Sequence, residues 1–348
     1  MTISFTALEA FQGEGSDAFE TRIVQKNTDD LPTFDVPTVT VAVHYSALNY
    51  KDALSASGNK GVTRRFPHTP GIDAAGVVTA SEDPRFAVGD AVIVTSYDLG
   101  MNTAGGLAQY IRVPAAWAVP LPEGMTLAES MIWGTAGLTT AIAIAKLQAA
   151  GLTPDKGPVV VTGASGGVGS LSVLLLHHLG YTVWAVSGKA DYHDTLKAWG
   201  ADTCLSREDV DDTSGRPLLR PRWAGAIDTV GGNTLSTLLK ACQKEGAIAV
   251  CGLVRSPQFE ASVFPWILNG IHVLGVDSAE YPQADRQARW QSLADWTPAL
   301  RETLNAMTQD LALDEVPAVL QTMLSGQSRG RYRVDLTPLH GDVAANPS

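Results

Sequence analysis

A glycine-rich segment follows a short hydrophobic run near the middle of the 348-residue chain. Residues Val159–Gly169 read VVVTGASGGVG, and an apolar, helix-forming stretch comes next. Glycines at a strand-to-helix turn let a pyrophosphate approach the backbone, where the N-terminus of the helix favours negative charge. The glycine spacing differs from the usual G-x-G-x-x-G, so this segment alone is weak evidence for a phosphate loop, and a tight turn without a ligand is the alternative. The residues predicted to form the phosphate loop are Gly163, Ser165, Gly166, Gly167, Val168 and Gly169.

Short apolar runs and helix-forming segments alternate around the phosphate loop. The predicted strands, all short and apolar, are Val159–Thr162, Thr182–Ser187, Thr203–Leu205, Gly225–Thr229, Ala247–Cys251 and His272–Val276. The predicted helices between them include Val168–Leu179, His193–Trp199 and Leu235–Ala241. Strands that alternate with helices in this way predict an α/β fold with a doubly wound parallel sheet, and they favour dinucleotide binding at the loop.

The residues before and after this alternation follow a different pattern. From Phe5 to about Pro120, short β-rich runs are separated by turns that contain glycine and proline, which predicts a compact β-rich module. The C-terminal part is too short for a third domain, so we expect it to return to this module. The predicted boundaries are 1–126 with 297–348 for the discontinuous β-rich domain and 127–296 for the nucleotide-binding domain. Glycines and threonines interrupt the apolar stretch Met131–Ala145, which favours a buried helix over a membrane span.

The end of the second predicted strand indicates which dinucleotide is bound. An NAD site normally has Asp or Glu there to bind the ribose hydroxyls, but this chain has Ser187, Gly188 and Lys189. A serine hydroxyl and a lysine ammonium suit a 2′-phosphate, and Arg207 after the third strand supplies a second cation. The sequence therefore predicts NADPH as the cofactor. The alternative is that both cations are solvated surface charges.

The charge balance limits the partners of the protein. With 36 acidic and 25 basic side chains, the net charge is −11, which argues against nucleic acid or an anionic membrane surface as a partner. The window Lys51–Arg65 reverses this balance, because it holds four basic residues and one acid. We interpret Lys60, Arg64 and Arg65 as binding residues for an anionic substrate, with a solvated loop as the alternative.

The cysteines and the N-terminus indicate the compartment. The three cysteines have no C-x-x-C spacing, which favours reduced core residues over a disulfide framework or a zinc knuckle. The start, MTISFTALEAF, shows neither a positive segment nor a long apolar run, so no signal peptide is expected. We therefore expect a cytoplasmic protein.

Six separate motifs occur in a recognisable order. They are Leu48–Asp52, Pro70–Gly76, Gly134–Thr140, Thr162–Gly169, Gly225–Gly231 and Gly275–Ser278. With them the chain resembles the medium-chain dehydrogenases/reductases, in the zinc-free, quinone-oxidoreductase-like branch that includes NADPH-dependent acrylyl-CoA reductases. The resemblance implies a Rossmann domain beside a β-rich, GroES-like catalytic domain, and a homodimer. Its expected reaction is the NADPH-dependent reduction of acrylyl-CoA to propionyl-CoA. The alternatives are a quinone or enone reductase and a non-catalytic NADPH-binding protein.

The resemblance also predicts that no metal is bound. The zinc-dependent members carry a cysteine near the position of Asn49–Tyr50 and the sequence Pro-Gly-His-Glu where this chain has Pro70–Asp73. No cysteine falls in the N-terminal module, and the side chain of Ile72 cannot ligate a metal. Without a Lewis acid, reduction of an activated double bond is expected in place of alcohol oxidation.

The resemblance places catalytic groups at Asn49, Tyr50 and Asp52. The implied roles are orientation of an amide or thioester by Asn49, a hydrogen bond or nicotinamide contact by Tyr50, and positioning by Asp52. The alternative interpretation is that Asn49 and Asp52 cap a helix and that Tyr50 fills a gap in the core. Leu253 and Ser278 are expected to contact the cofactor from their positions after the fifth and sixth strands. Arg331 resembles part of the family's closing-strand motif, which implies a place at the cofactor cleft, and the alternative is an ordinary surface charge.

Overall fold

The computed structural model describes residues 2–337. Within this range, the strands are β1 (Ser4–Gln12), β2 (Phe19–Asn27), β3 (Thr38–Ala47), β4 (Asp73–Ser81), β5 (Ala91–Thr95), β6 (Tyr110–Pro114), β7 (Ala118–Pro120), β8 (Val159–Val161), β9 (Val183–Val186), β10 (Thr203–Leu205), β11 (Trp223–Asp228), β12 (Cys242–Val250), β13 (His272–Gly275), β14 (Thr308–Leu311) and β15 (Arg331–Asp335). The α-helices are α1 (Tyr50–Ala56), α2 (Leu127–Ala149), α3 (Gly167–His178), α4 (His193–Ala198), α5 (Gly232–Lys240), α6 (Phe264–Asn269), α7 (Gln283–Ala306) and α8 (Val316–Leu324).

The chain forms two compact units. The first unit contains the residues up to Thr135 and those from Ala279 onward, and the second contains Ala136–Ser278. The predicted cuts at 126/127 and 296/297 differ from these borders. The cut at 296/297 falls inside α7, where Pro298 lies within the helix and did not mark its end. Residues 338–348, which the sequence assigns to the discontinuous domain, lie outside the described range.

The first unit is built on a seven-stranded sheet. Its strands follow the order β14-β15-β3-β4-β5-β7, with β6 also paired to β3, and β1 and β2 form a separate antiparallel pair. Strand β3 reads TVTVAVHYSA, and its valines are buried in the core together with Ala74 and Val78 of the neighbouring β4. The β-branched side chains account for this strand, because they pack well on a pleated surface. The β-rich module predicted from the sequence is confirmed.

The second unit is a six-stranded parallel sheet with the order β10-β9-β8-β11-β12-β13. Counted along the chain, this order is 3-2-1-4-5-6, which is the doubly wound arrangement that binds dinucleotides. The order of the strands reverses between β8 and β11: the chain adds β9 and β10 on one side of β8 and then β11, β12 and β13 on the other. Strands β8 and β11 are parallel and pair from Gly225 with Val159 to Ile227 with Val161. The predicted α/β fold class is confirmed, and the phosphate loop follows β8 at this reversal.

Helix α2 contains the border between the two units. Gly134 interrupts it with non-helical dihedral angles, φ 52° and ψ −155°, one residue before the border. Within the described residues, this helix is the one long and apolar enough to cross a membrane, but 78% of its apolar window is buried inside the protein. That degree of burial is typical of a core helix, which agrees with the prediction for Met131–Ala145.

Candidate functional site

The phosphate loop of the second unit is a tight turn between β8 and α3. Gly163 follows the strand with φ 60°, and a β-carbon there would collide with Oγ1 of Thr229. The N–H of Gly166 donates to the carbonyl oxygen of Gly163 over 2.9 Å and closes the turn. Helix α3 then begins at Gly167 and contains Val168 and Gly169 in its first turn. A tight turn followed by a helix N-terminus is compatible with a phosphate site, and the binding of a phosphate by these residues remains a prediction.

A buried aspartate supports the loop from the neighbouring strand. Oδ1 of Asp228, at the end of β11, accepts a hydrogen bond of 2.6 Å from Oγ1 of Thr162. Oδ2 accepts the N–H of Gly231 over 2.9 Å. Burial raises the pKa of Asp228, while these donors act in the opposite direction. Sequence reasoning did not assign Asp228 a role, although the residue stands inside the Gly225–Gly231 motif.

The residues predicted to select the cofactor lie together around Gly188. Nζ of Lys189 donates to Oγ of Ser165 over 3.2 Å, and the N–H of Lys189 donates to Oγ of Ser187 over 3.2 Å. The guanidinium of Arg207 packs against Gly188, where a β-carbon would collide with it. Two cations and two hydroxyls thus surround one glycine after β9. This donor set fits a phosphate group beside the phosphate loop.

Leu253 and Ser278 follow the last two strands of the same sheet. Leu253 lies three residues after the end of β12 and is 62% exposed. Ser278 lies three residues after the end of β13, and its hydroxyl accepts a hydrogen bond of 2.8 Å from Thr139. Ligands of doubly wound sheets bind at the carboxyl ends of the strands, which is the edge where both residues stand. Their contact with a cofactor remains a prediction.

The first unit contains a buried polar cluster at the start of α1. Oδ2 of Asp52 accepts the backbone N–H of Asn49 over 2.7 Å, and Oδ1 accepts the N–H of Ile72 over 2.8 Å. The side-chain Nδ2 of Asn49 donates to Oδ2 of Asp73 over 2.8 Å. Asp52 thus caps the helix, as the alternative interpretation held, but its carboxylate also belongs to the same cluster as Asp73.

Three further hydrogen bonds hold Asp73. The N–H of Thr135 lies 3.0 Å and 2.9 Å from its two carboxylate oxygens, and the Thr135 hydroxyl donates to Oδ1. Oγ of Ser96 lies 2.9 Å from the Thr135 hydroxyl oxygen. Because Thr135 gives its only hydroxyl proton to the carboxylate, Ser96 donates to Thr135. Sequence reasoning did not assign Asp73 a role, although Asp73 and Thr135 stand in the Pro70–Gly76 and Gly134–Thr140 motifs.

Arg331 completes the cluster. Its side chain is fully buried, and its Nε donates to the carbonyl oxygen of Ile132 over 2.8 Å. Burial lowers the pKa of Arg331, whereas Asp73 and Asp52 raise it. Burial, together with the charge of Asp73, raises the pKa of Asp52 to about 7. Arg331 is therefore not an ordinary surface charge, and its contact with a cofactor remains a prediction.

The remaining candidates of the first unit are more exposed. Tyr50 is the first residue of α1 and is 41% exposed, so it does not fill a gap in the core. Nζ of Lys60 lies 4.7 Å from the ring centre of Phe66 and also faces a second aromatic ring. Arg64 and Arg65 are exposed. Because the Lys60 ammonium already interacts with two aromatic rings, Arg64 and Arg65 are the better candidates for binding an anionic ligand.

Between residues 2 and 337, no group of three or more His, Cys, Asp or Glu side chains could hold a metal ion. In the cluster around Asp73, the two carboxylates face an arginine and hydrogen-bond donors. That set of partners suits the stabilisation of carboxylates in the protein interior.

Known protein families match both units. The model of the alcohol dehydrogenase GroES-like domain matches residues 37–123, and the model of the zinc-binding dehydrogenases matches residues 167–297. The putative quinone oxidoreductase YhfP of Bacillus subtilis is 41% identical over 95% of this chain and 99% of its own length. Acrylyl-CoA reductase AcuI of Ruegeria pomeroyi is 40% identical with the same coverage of both chains.

Solved structures share the fold over nearly the whole chain. The yhdH oxidoreductase of Salmonella enterica, determined in complex with NADP, superposes with a TM-score of 0.90. It is 42% identical and covers 95% of this chain and 99% of its own. The yhfP protein of Bacillus subtilis, determined with NAD bound, has a TM-score of 0.90 at 41% identity and covers 96% of this chain and 100% of its own.

Proposed function

The chain belongs to the medium-chain dehydrogenase/reductase superfamily, in its quinone-oxidoreductase-like branch, and on that premise we propose that it reduces the activated C=C bond of a small enoyl-CoA with NADPH. As a member of this family, the protein is an oxidoreductase. The preferred substrate is acrylyl-CoA, which gives propionyl-CoA. The relatives support this proposal, because one that aligns over 99% of its own length bears the name acrylyl-CoA reductase.

The cofactor proposal rests on the cations beside Gly188. Lys189 and Arg207 supply two positive charges next to hydroxyls of Ser165 and Ser187. NADH has no phosphate at the ribose 2′ position, so these charges would favour NADPH. One relative was determined with NADP and another with NAD, so these structures do not decide between the two cofactors. The proposal of NADPH therefore rests on the contacts of Lys189 and Arg207 in this chain.

The chemistry assigns separate tasks to the residues of the protein. NADPH supplies a hydride when bound, and the hydride adds to the β-carbon of the thioester. Negative charge then develops on the thioester oxygen, and a proton reaches the α-carbon from solvent or a side chain. The protein has to orient the alkene and offer a hydrogen-bond donor to that oxygen. We assign substrate contact to Tyr50, whose hydroxyl belongs to an exposed side chain, orientation of an amide or thioester by direct contact to Asn49, and positioning to Asp52.

The CoA portion of the substrate carries several phosphate groups. Arg64 and Arg65 are exposed and follow Lys60 in a loop whose charge opposes that of the chain as a whole. We assign the CoA phosphates to this loop, mainly to the two arginines. Guanidinium groups bind phosphate through two parallel hydrogen bonds, which suits them to this task.

A second candidate function is the reduction of a quinone or a simple enone. It is favoured by the name of the YhfP relative, a putative quinone oxidoreductase. NADPH oxidation should be measured with acryloyl-, crotonyl- and methacrylyl-CoA, and with a quinone, at equal concentrations. We expect the highest kcat/KM with acryloyl-CoA. Faster turnover of the quinone would favour the second function, and NADPH binding without any turnover would indicate a non-catalytic binding protein.

We further propose a cytoplasmic homodimer. Three free cysteines suit a reducing compartment. Among the described residues, β13 pairs only with β12, so its other edge carries unpaired backbone groups. The preceding helix α6 exposes Phe264, Ile267 and Leu268. An unpaired edge beside an exposed apolar surface suits association with a second copy of the chain.

A further inference from the structure

Both hydrogens of the Asn49 amide are bound inside the protein. Its Nδ2 lies 2.8 Å from Oδ2 of Asp73 and 3.3 Å from the carbonyl oxygen of Ala47. A carbonyl oxygen and an ionised carboxylate only accept hydrogen bonds, so the atom that faces both must be the amide nitrogen. An amide nitrogen has two hydrogens, and each has a partner here. Asn49, which is half-buried, can therefore offer a ligand only its carbonyl oxygen Oδ1.

The carboxylate of Asp73 is fixed by its other contacts. The Thr135 N–H contacts both oxygens, and the Thr135 hydroxyl donates to Oδ1. The hydroxyl of Ser96 donates in turn to Thr135 over 2.9 Å. Ser96 has φ 66°, a left-handed conformation that is uncommon for a residue other than glycine and that the surrounding structure must stabilise. Asp73 is thus held by hydrogen bonds from Thr135 in addition to the one from Asn49.

We propose that Asp73 is a positioning residue that fixes the orientation of the Asn49 side-chain amide. With its Nδ2 turned toward Asp73, Asn49 presents Oδ1 and accepts a hydrogen bond from a donor group on a bound ligand. The donor is an N–H or O–H group of the cofactor or of the acyl-CoA. This inference rests on the proposed function for the identity of those ligands, but the positioning itself does not. It follows that Asn49 cannot donate to the developing oxyanion, which leaves this task to the hydroxyl of Tyr50, a residue that is 41% exposed.

The positioning can be tested in the protein without ligands. Protein labelled with nitrogen-15 only in asparagine gives side-chain NMR signals, and Asn49→Ala identifies the signal of Asn49. We expect both Nδ2 hydrogens of Asn49 to exchange with water at least about tenfold more slowly than those of the exposed Asn59. Equal exchange rates at the two residues would overturn the proposal, whatever the activity of the enzyme.

A matched pair at Thr135 tests the role of Asp73. Thr135→Ser keeps the hydroxyl that donates to Asp73, and Thr135→Val removes it. We expect the slow exchange of the Asn49 amide to persist in Thr135→Ser and to be lost in Thr135→Val. Circular dichroism shows whether both variants fold. Slow exchange in both folded variants would mean that Asp73 needs no positioning by Thr135, which would overturn that part of the proposal.

Exchanging the side chains of Asn49 and Asp73 tests whether the ligand needs a hydrogen-bond acceptor at residue 49. Asn49→Asp alone places two carboxylates in contact, whereas Asn49→Asp with Asp73→Asn restores one amide and one carboxylate. The double variant presents an acceptor at residue 49. We expect Asn49→Ala to weaken NADPH binding or raise the KM for acryloyl-CoA by about tenfold, and the double variant to recover most of that loss. A double variant no better than Asn49→Ala would overturn the acceptor role.

The ligand affinities show which ligand carries the donor group. The exchange rate of the Asn49 amide, compared with turnover, shows which of the two proposals fails. A change in the equilibrium Kd for NADPH assigns the donor to the cofactor, and a change only in the KM for acryloyl-CoA assigns it to the substrate. Slow exchange of the Asn49 amide in a protein that turns over no enoyl-CoA would contradict the proposed function and leave the positioning intact. Fast exchange in an active enzyme would contradict the positioning alone.

Discussion

Asp73 and Arg331 occupy the space that a side chain at Gly134 would need. A β-carbon at this position would lie 3.0 Å from Nη2 of Arg331 and would collide with Oδ2 of Asp73. Gly134 also adopts φ 52°, a conformation that other residues rarely tolerate. The glycine thus lets two residues that are far apart in the sequence meet in the interior, where their opposite charges stabilise each other.

Gly134→Ala should therefore be much more destabilising than an ordinary glycine substitution at positive φ. We expect it to lower the free energy of unfolding by about 3 kcal/mol or more, because backbone strain adds to a collision with buried charges. Gly326→Ala is the matched control, since Gly326 has φ 71° and open space around it, and should cost about 1–2 kcal/mol. Chemical denaturation measures both values. Equal losses in the two variants would contradict the role of Gly134 in accommodating the charges.

Asp52 should make the stability of the protein depend on pH. Its pKa rises from 3.8 to about 7 on folding, so the folded chain retains a proton that the unfolded chain releases. Stability from this group is greatest below pH 3.8 and is lost as the pH rises through 7. Between pH 5 and pH 8, the wild type should lose about 3 kcal/mol more than Asp52→Asn. Asp35→Asn, at an exposed position, should retain the wild-type dependence, and identical curves for all three proteins would refute the prediction.

The local patterns of the sequence account for the second unit better than for the first. The strand from Val159 and the helix that begins at Gly167 are set by neighbouring residues, because β-branched runs and glycine turns act over a few positions. The proximity of Asp73 to Arg331 depends on β4 and β15, which lie on either side of β3 only in the folded sheet. No local pattern distinguishes such an arginine from a surface charge, and none showed that α7 continues through Pro298.

Lys189 should determine the preference for NADPH. Lys189→Glu replaces a cation beside Ser165 with an anion, so it should raise the Kd for NADPH at least about tenfold and change the Kd for NADH little. Lys197→Glu is the control, because Lys197 forms an exposed ion pair with Asp194 on the following helix. Cofactor fluorescence gives each Kd. Equal effects of Lys189→Glu on the two cofactors would rule out the 2′-phosphate contact.

Arg64 and Arg65 should act on the CoA portion of the substrate. The double variant Arg64→Ala/Arg65→Ala should raise the KM for acryloyl-CoA about tenfold and leave kcat nearly unchanged, because the phosphates lie away from the reacting bond. The N-acetylcysteamine thioester lacks these phosphates, so its KM should not change. Lys156→Ala/Lys244→Ala, at two exposed lysines, removes the same charge as a control. Unaltered KM values for acryloyl-CoA would exclude these arginines from CoA binding.

The apolar surface of α6 should hold two copies of the chain together. Ile267 is 69% exposed and lies next to the edge strand β13 in the sequence, so a charge there would be buried without a partner in a dimer. We expect light scattering to give twice the chain mass of 36.7 kDa for the wild type and the single mass for Ile267→Glu. Val88→Glu, at a residue of the first unit that is 71% exposed, should remain dimeric. A monomeric wild type, or a dimeric Ile267→Glu, would show that this surface does not join two copies.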